Sequence, residues 1–204
     1  NLGAIWNQAQ ADAQRIGEQG ADRHLDVDVA LYFASRDGSR LLAEPRRVRL
    51  SNNEDYILPL LRELVRGPVQ ASEAAGVLPE GMEPLQSAPT ITTSGDGLKL
   101  ITLPLTPGFD VEMRKRGMSL RQMCGALTLT LLRFVPEVDG VVIRIGGERL
   151  ERISDQSGEM LFENGVMTQQ HFGYMLGETA HIYLGTEAGK LRRVGRVLDP
   201  YSAT

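Results

Sequence analysis

Val29-Ala30-Leu31-Tyr32-Phe33, a turn at Asp37-Gly38, then Leu41 and Arg46-Arg47-Val48 form the stretch whose reading decides the fold, because the chain writes it twice. Near the end stand His181-Ile182-Tyr183-Leu184, a turn at Ala188-Gly189, then Leu191 and Arg196-Val197-Leu198. Tyr32 corresponds to Tyr183, Gly38 to Gly189, Leu41 to Leu191 and Arg46 to Arg196, with one residue dropped in the second turn. Self-similarity of this kind marks tandem copies of one structural unit. Each copy reads as two strands around a turn. The second stops after its opening hairpin, so we expect one whole domain and the beginning of another.

Composition places the chain among ordinary globular proteins. It has 204 residues, a formal net charge of -4, 42% hydrophobic and 24% charged residues, enough for a real core. Mild acidity argues against a general nucleic-acid binder, and no apolar run approaches a membrane span. The chain starts at Asn1 and shows no secretory leader. We expect a tether to a membrane through a segment preceding it. Cys124 is the single cysteine, which excludes an internal disulfide. It stands in an apolar helical stretch and reads as a buried thiol.

Outward from the first hairpin, Leu2, Ile5, Trp6, Ala9, Ala13 and Ile16 recur at helical spacing, a docked helix or stalk over residues 1–24. Strands are expected over 27–34 and 41–50. A helix follows, with Asn53 or Asp55 as N-cap, Pro59 in or next to its first turn, and Ile57, Leu60, Leu61, Leu64 and Val65 on one face. Gly67-Pro68 stops it. Residues 69–88 read as loop, with a tight turn at Val77–Met82. Gly95-Asp96-Gly97 joins two strands in a hairpin. Ser119 caps a second helix carrying Leu120, Met123, Leu127, Leu131 and Phe134, and Pro136 ends it. Val138–Ile145 is a β-branched run turned back by Gly146-Gly147. Mixed helices and hairpins favour an α+β layer, a small sheet covered by two helices. Ser154–Gly158 reads as a linker and Thr168–Leu176 as a short helix. The domain reading is therefore 1–24, 25–153 and 154–204.

Three stretches resemble the GerM domain, the sporulation and spore-germination family. They are the opening hairpin through Arg46-Arg47-Val48, the helix exit Leu64-Val65-Arg66-Gly67-Pro68 with the turn Leu78-Pro79-Glu80-Gly81, and Leu127–Gly147 through Val135-Pro136-Glu137-Val138. Leu103-Pro104-Leu105-Thr106-Pro107 departs from the family's acidic or serine-bearing segment. The resemblance implies a non-catalytic, extracytoplasmic module, often in tandem and often in a lipoprotein of the cell envelope. It also implies a fold like the ring-building modules of secretion machinery, working as a scaffold with protein partners that include copies of itself.

Residues that could carry chemistry do not converge along the sequence. His24, His171 and His181 are isolated, with no neighbour at metal-ligand spacing. Asp26 and Asp28 alternate along a strand. Arg144–Arg149 lacks the length and the Lys-Ser/Thr ending of a phosphate loop. No enzyme, cofactor or metal is expected. The candidate partner surface is basic: Arg36, Arg40, Arg46, Arg47 and Arg49 crowd the first hairpin, and Arg192, Arg193 and Arg196 crowd the second. Such charges also keep strand edges from pairing wrongly. Arg114-Lys115-Arg116 reads as a solvated loop. The alternative function is an envelope sensor for a wall fragment or a small anion, with a concave pocket near Arg46 or Arg144. A nucleic-acid clamp would need a Gly-x-x-Gly loop between helices, which is lacking.

Overall fold

The computed structural model describes residues 4–8, 24–51 and 56–177. Strand β1 (His24–Ser35) pairs antiparallel with β2 (Leu41–Ser51), and the short β3 (Ala74–Ala75) adds to its other side. A second sheet has the order β10-β6-β5-β4, from β4 (Thr90–Thr93), β5 (Lys99–Leu105), β6 (Gly140–Ile145) and β10 (Val166–Met167), with β7 (Glu148–Arg149) pairing the end of β6. Strands β8 (Arg152–Asp155) and β9 (Gly158–Leu161) make a separate hairpin. The α+β class holds. The strands are divided among sheets, because the long helix has too much apolar surface for one sheet to cover.

That helix is α3 (Leu120–Phe134). It is buried on nearly its whole circumference, from Arg121 to Leu131 and again at Phe134. A helix apolar all round needs neighbours all round, and α3 contacts β1 and β2, β6, and the helices on either side of it. Ser119 caps it as expected, its Oγ accepting from the Gln122 N–H at 3.1 Å. Its connection also decides topology. Strands β5 and β6 are parallel, in register from Leu100↔Gly140 to Leu105↔Ile145. Parallel neighbours need a crossover, here the path through α2 (Phe109–Lys115) and α3.

The first hairpin alternates as read, with Val27, Val29 and Leu31 inward and Asp26 and Asp28 outward. From Leu31 to Ala34 both faces are buried. The edge of β1 that β3 does not reach is closed by α3: the Tyr32 N–H donates to Thr130 Oγ1 at 3.1 Å, and Arg133 donates to the Tyr32 hydroxyl at 2.9 Å. Helix α1 (Ile57–Arg66) buries Ile57, Pro59, Leu60, Leu61 and Leu64. Its N-cap is Tyr56, with no side-chain cap bond, rather than Asn53 or Asp55, which lie outside the described residues. Tyr56 is held by its ring instead, tilted against Trp6 at 4.8 Å and against Phe134 at 5.7 Å. Gly146 and Gly147 both take positive φ, 62° and 89°, as the turn required.

Two readings are corrected. Arg114 and Lys115 end helix α2 and Arg116 is its C-cap, rather than a loop. Phe109 and Met113, one turn apart, bury that helix and stabilise it. Ser154–Gly158 is the β8–β9 turn rather than a linker, and Phe162, Met167, Phe172, Met175 and Leu176 belong to the same core as β1 and α3. The short helix expected near 168–176 is α4 (Gln169–Phe172), followed by a 3-10 turn to Met175. The second-copy hairpin, with His181, Arg192, Arg193 and Arg196, and most of the stretch 1–24 lie outside the described residues. No helix among the described residues is long and apolar enough to cross a membrane, which says nothing of a β-barrel.

Gly125 is the closest approach in the core. A Cβ there would lie 2.8 Å from Leu41 Cδ1 and 3.0 Å from Phe172 Cδ1. Gly125→Val should destabilise the fold by about 1–3 kcal/mol through overpacking. Chemical denaturation measures it, and an unchanged midpoint would show that α3 has room to shift.

Candidate functional site

The arginines of the first hairpin fall into two sets, separated by strand parity. Arg47 and Arg49 point outward and stand directly across from Asp28 and Asp26. Arg47 Nε reaches Asp28 at 3.1 Å and Arg49 Nε reaches Asp26 at 3.0 Å. The hydrogen bond from Arg49 holds the Asp26 carboxyl below its ordinary range. These are exposed cross-strand pairs, which rigidify the hairpin weakly.

Arg46 has the parity of Val48 and Leu50 and turns inward. Its guanidinium lies 5.6 Å from the Phe33 ring centroid. It pairs with Glu44 and with Glu63 Oε2 at 3.2 Å, and donates to the Gly67 carbonyl at 2.9 Å. Glu44 in turn accepts from the Val69 N–H at 3.0 Å and the Gln70 N–H at 3.2 Å. The network fastens β2 to the end of α1 and to the loop beyond it. Arg36 donates to the Ala71 carbonyl, joining the hairpin tip to the same loop. The Arg40 N–H donates to Ser35 Oγ at 2.9 Å within the turn. In this hairpin Arg46, Arg47 and Arg49 are thus paired with carboxylates, and Arg36 and Arg40 are exposed beside them.

A second joint had no local signal. Arg121, 8% exposed, grips Asp155 with two bonds of 2.8 Å, from Nε and from one terminal nitrogen, and also donates to the Gly158 carbonyl at 2.9 Å and the Tyr174 hydroxyl at 3.2 Å. Fork-on-carboxylate geometry is the strongest form of this contact. It locks the β8–β9 turn onto the start of α3, and Arg121 holds the Asp155 carboxyl below its ordinary range.

Cys124 and His171 are tied into the structure. Cys124 is fully buried, and desolvation pushes its thiol pKa far up, away from a nucleophile's range. His24 is exposed at the start of β1. His171 Nδ1 accepts from the Thr168 N–H at 3.0 Å, and its ring stands edge-on to Phe162 at 4.9 Å. Among the described residues no cluster of His, Cys, Asp and Glu is suited to a metal ion. Arg144 donates to the Gly147 carbonyl at 2.8 Å, holding its own turn.

Clefts among the described residues include two of note. One of about 930 Å³ lies at the seam of β7, β8 and β9, where Arg149, Arg152, Glu163 and His171 border Phe162 and Leu161. Asn164 on its rim takes a left-handed φ of 56°, a conformation to which asparagine is suited. The other, about 340 Å³, lies under the tip of the first hairpin, between Ser35–Gly38, Ala75–Val77 and Gly117–Ser119, with Gln122 in its wall.

Residues 30–151, more than half of the chain, match a family described as Germane: sporulation and spore germination. No curated protein matches. Among solved structures, the chain is similar to the tandem GerMN domains of the sporulation protein GerM from Bacillus subtilis, with 22% identity and a TM-score of 0.47 over 71% of this chain. It spans 47% of that protein's chain, about half its length. It is also similar to a "Putative Lipoprotein from Clostridium perfringens", with 18% identity and a TM-score of 0.32, over 69% of this chain and 90% of that one.

Two expectations follow from the joints. Arg46→Ala leaves Glu44 and Glu63 without their shared cation and should cost about 3 kcal/mol in denaturation, whereas Arg47→Ala should leave the midpoint unmoved. Equal effects would mean that parity does not separate the two. Burial against its neighbours lowers the His171 pKa from the ordinary 6.5. The unfolded chain therefore binds the proton first, and stability falls as pH drops below that value. In pH-dependent melting, His171→Asn, which keeps an acceptor at the Nδ1 position, should flatten this step. A profile identical to that of the unaltered protein would place the titrating group elsewhere.

Proposed function

Because the chain belongs to the Germane family, that of sporulation and spore germination, we propose that it acts as a non-catalytic scaffold or interaction module in spore formation or germination. The observation that carries this reading is how its ionisable side chains are used. Arg46, Glu44 and Glu63, and Arg121 with Asp155, join one element to the next, whereas a catalytic site sets such groups convergent on a cavity with tuned proton affinities. Family domains of this kind are generally non-enzymatic. The address is outside the cytoplasm, at the envelope, with the module held to a membrane by a lipoprotein anchor. Its partners are envelope proteins and further copies of itself. It works by surface recognition, in which a rigid body presents edges and turns.

The written-out repeat supplies the route to self-association. The stretches His181–Leu184 and Leu191–Leu198 repeat the sequence pattern of β1 and β2, and strands of one pattern on two copies can pair edge to edge. The second reading, a sensor of a wall fragment or small anion, is favoured by the cleft beside His171, where Arg149 and Arg152 supply donors.

Size-exclusion chromatography with light scattering separates the two. The full chain should self-associate and a chain ending at Gly177 should be monomeric. That end point retains Phe162, Phe172 and Leu176, which belong to the core. If both are monomers at high concentration, assembly through this region fails and the cleft beside His171 becomes the functional site.

A further inference from the structure

The cleft under the first hairpin contains a polar group that the fold does not use. Gln122 is 9% exposed, and its Nε2 is shielded from solvent with no hydrogen-bond partner among the described residues. Gly38 lies directly over it: a Cβ there would stand 3.9 Å from Nε2. The surrounding polar groups are already engaged. Ser35 Oγ donates to Asp37 Oδ1 at 2.7 Å, Ser39 gives Asp37 Oδ1 both its N–H at 3.0 Å and its hydroxyl at 2.7 Å, and Ser119 Oγ takes the Gln122 N–H. Buried donors are nearly always paired in folded proteins, so one left over in the wall of a cleft points to a group that comes from outside.

The chemistry around it narrows that group. A glutamine side chain carries one carbonyl and one NH2, and its last torsion is soft, so it can turn either end to the cleft. The complement of such an amide is another amide. Beside it, β3 is the edge of its sheet, pairing with β1 on one side. The main chain just beyond it, at Gly76 and Val77, takes no backbone hydrogen bond from any described residue. An open strand edge accepts an added strand through its main chain. Asp37, which accepts three hydrogen bonds, and Arg36, whose Nε donates to the Ala71 carbonyl, offset each other in the lining, so the cleft favours an uncharged ligand. Ala34, Val77 and Met118 give the cleft small apolar walls, and its volume is at the low end for a ligand site.

We propose that this cleft binds an extended, uncharged segment of a partner polypeptide, whose main chain pairs along Gly76–Val77 and exchanges hydrogen bonds with the Gln122 amide. This rests on the reading of the chain as an interaction module. The self-association measured by light scattering does not depend on it, so the failure of one is distinguishable from the failure of the other.

The test is a titration of the isotope-labelled full chain with N-acetyl-trialanine-amide, followed by NMR at the Gln122 side-chain NH2 and the Gly76 and Val77 amides. These signals should move together and saturate. Gln122→Met, which keeps the shape and removes the donor, should weaken binding at least tenfold and melt no lower than the unaltered protein, because a buried unpaired donor has been removed. Gln122→Glu should lose binding as well. Peptide affinity unchanged in both variants, or a lowered melting point for Gln122→Met, would overturn the proposal, the latter by showing that the amide has an internal partner. Parallel titrations with acetate and with N-acetylglucosamine complete the test: saturation by either, with none by the peptide, would make this an anion or sugar site and refute the polypeptide assignment.

Discussion

Everything in this fold answers to one constraint, a fifteen-residue helix with almost no solvent-facing side. A helix lying on a single sheet keeps a wet face, but α3 has buried residues at every angle from Arg121 to Leu131. The chain meets that demand with separate sheets and a C-terminal segment that returns through Phe162, Met167 and Phe172. Gly125 measures how closely this segment and the first hairpin converge on the helix, since Leu41 and Phe172 both stand where its side chain would be. The buried polar atoms follow the same logic. Thr130 spends its hydroxyl on the open edge of β1, and Arg133 reaches the hydroxyl of Tyr32.

The charges sort by distance from that core. At the surface, Asp26–Arg49 and Asp28–Arg47 face each other across a strand pair, where water and salt weaken them. Closer in, Arg46 and Arg121 bind carboxylates and main-chain carbonyls together, and each connects elements that share no sheet. A guanidinium suits this task because it has five donors in a fixed plane.

Much of this was legible in the sequence, and the failures have physical causes. The period of two in β1 and β2 and the capped apolar run of α3 were plain, as was the glycine turn after β6. The same period placed Arg46 with Val48 and Leu50, on the inner face. Parity divides the arginines of the first hairpin, and the charge balance of a strand is decided by what stands opposite it. Helix α2 was hidden by three consecutive cations, although Phe109 and Met113 carried its spacing. Ser154–Gly158 has the composition of a linker and equally that of a turn. Only Ile153 before it and Met160 and Phe162 after it favour the turn. Of the candidate sites, the Arg121–Asp155 joint and the unpaired amide of Gln122 had no signal at all, because each depends on residues brought from far along the chain.

Those long connections have a consequence for how the molecule is made. Tyr32 finds Thr130 and Arg133 across separations of 98 and 101 residues. At ribosomal speeds of roughly 5–20 residues per second, the first hairpin waits about 5–20 s before its helix exists. Contacts of such range also slow folding itself. During that interval β1 is an apolar strand with an open edge. The acidic and basic residues along its outer face and that of β2 then act as gatekeepers against pairing with a neighbouring nascent chain, a service to synthesis that leaves little mark on the stability of the finished protein.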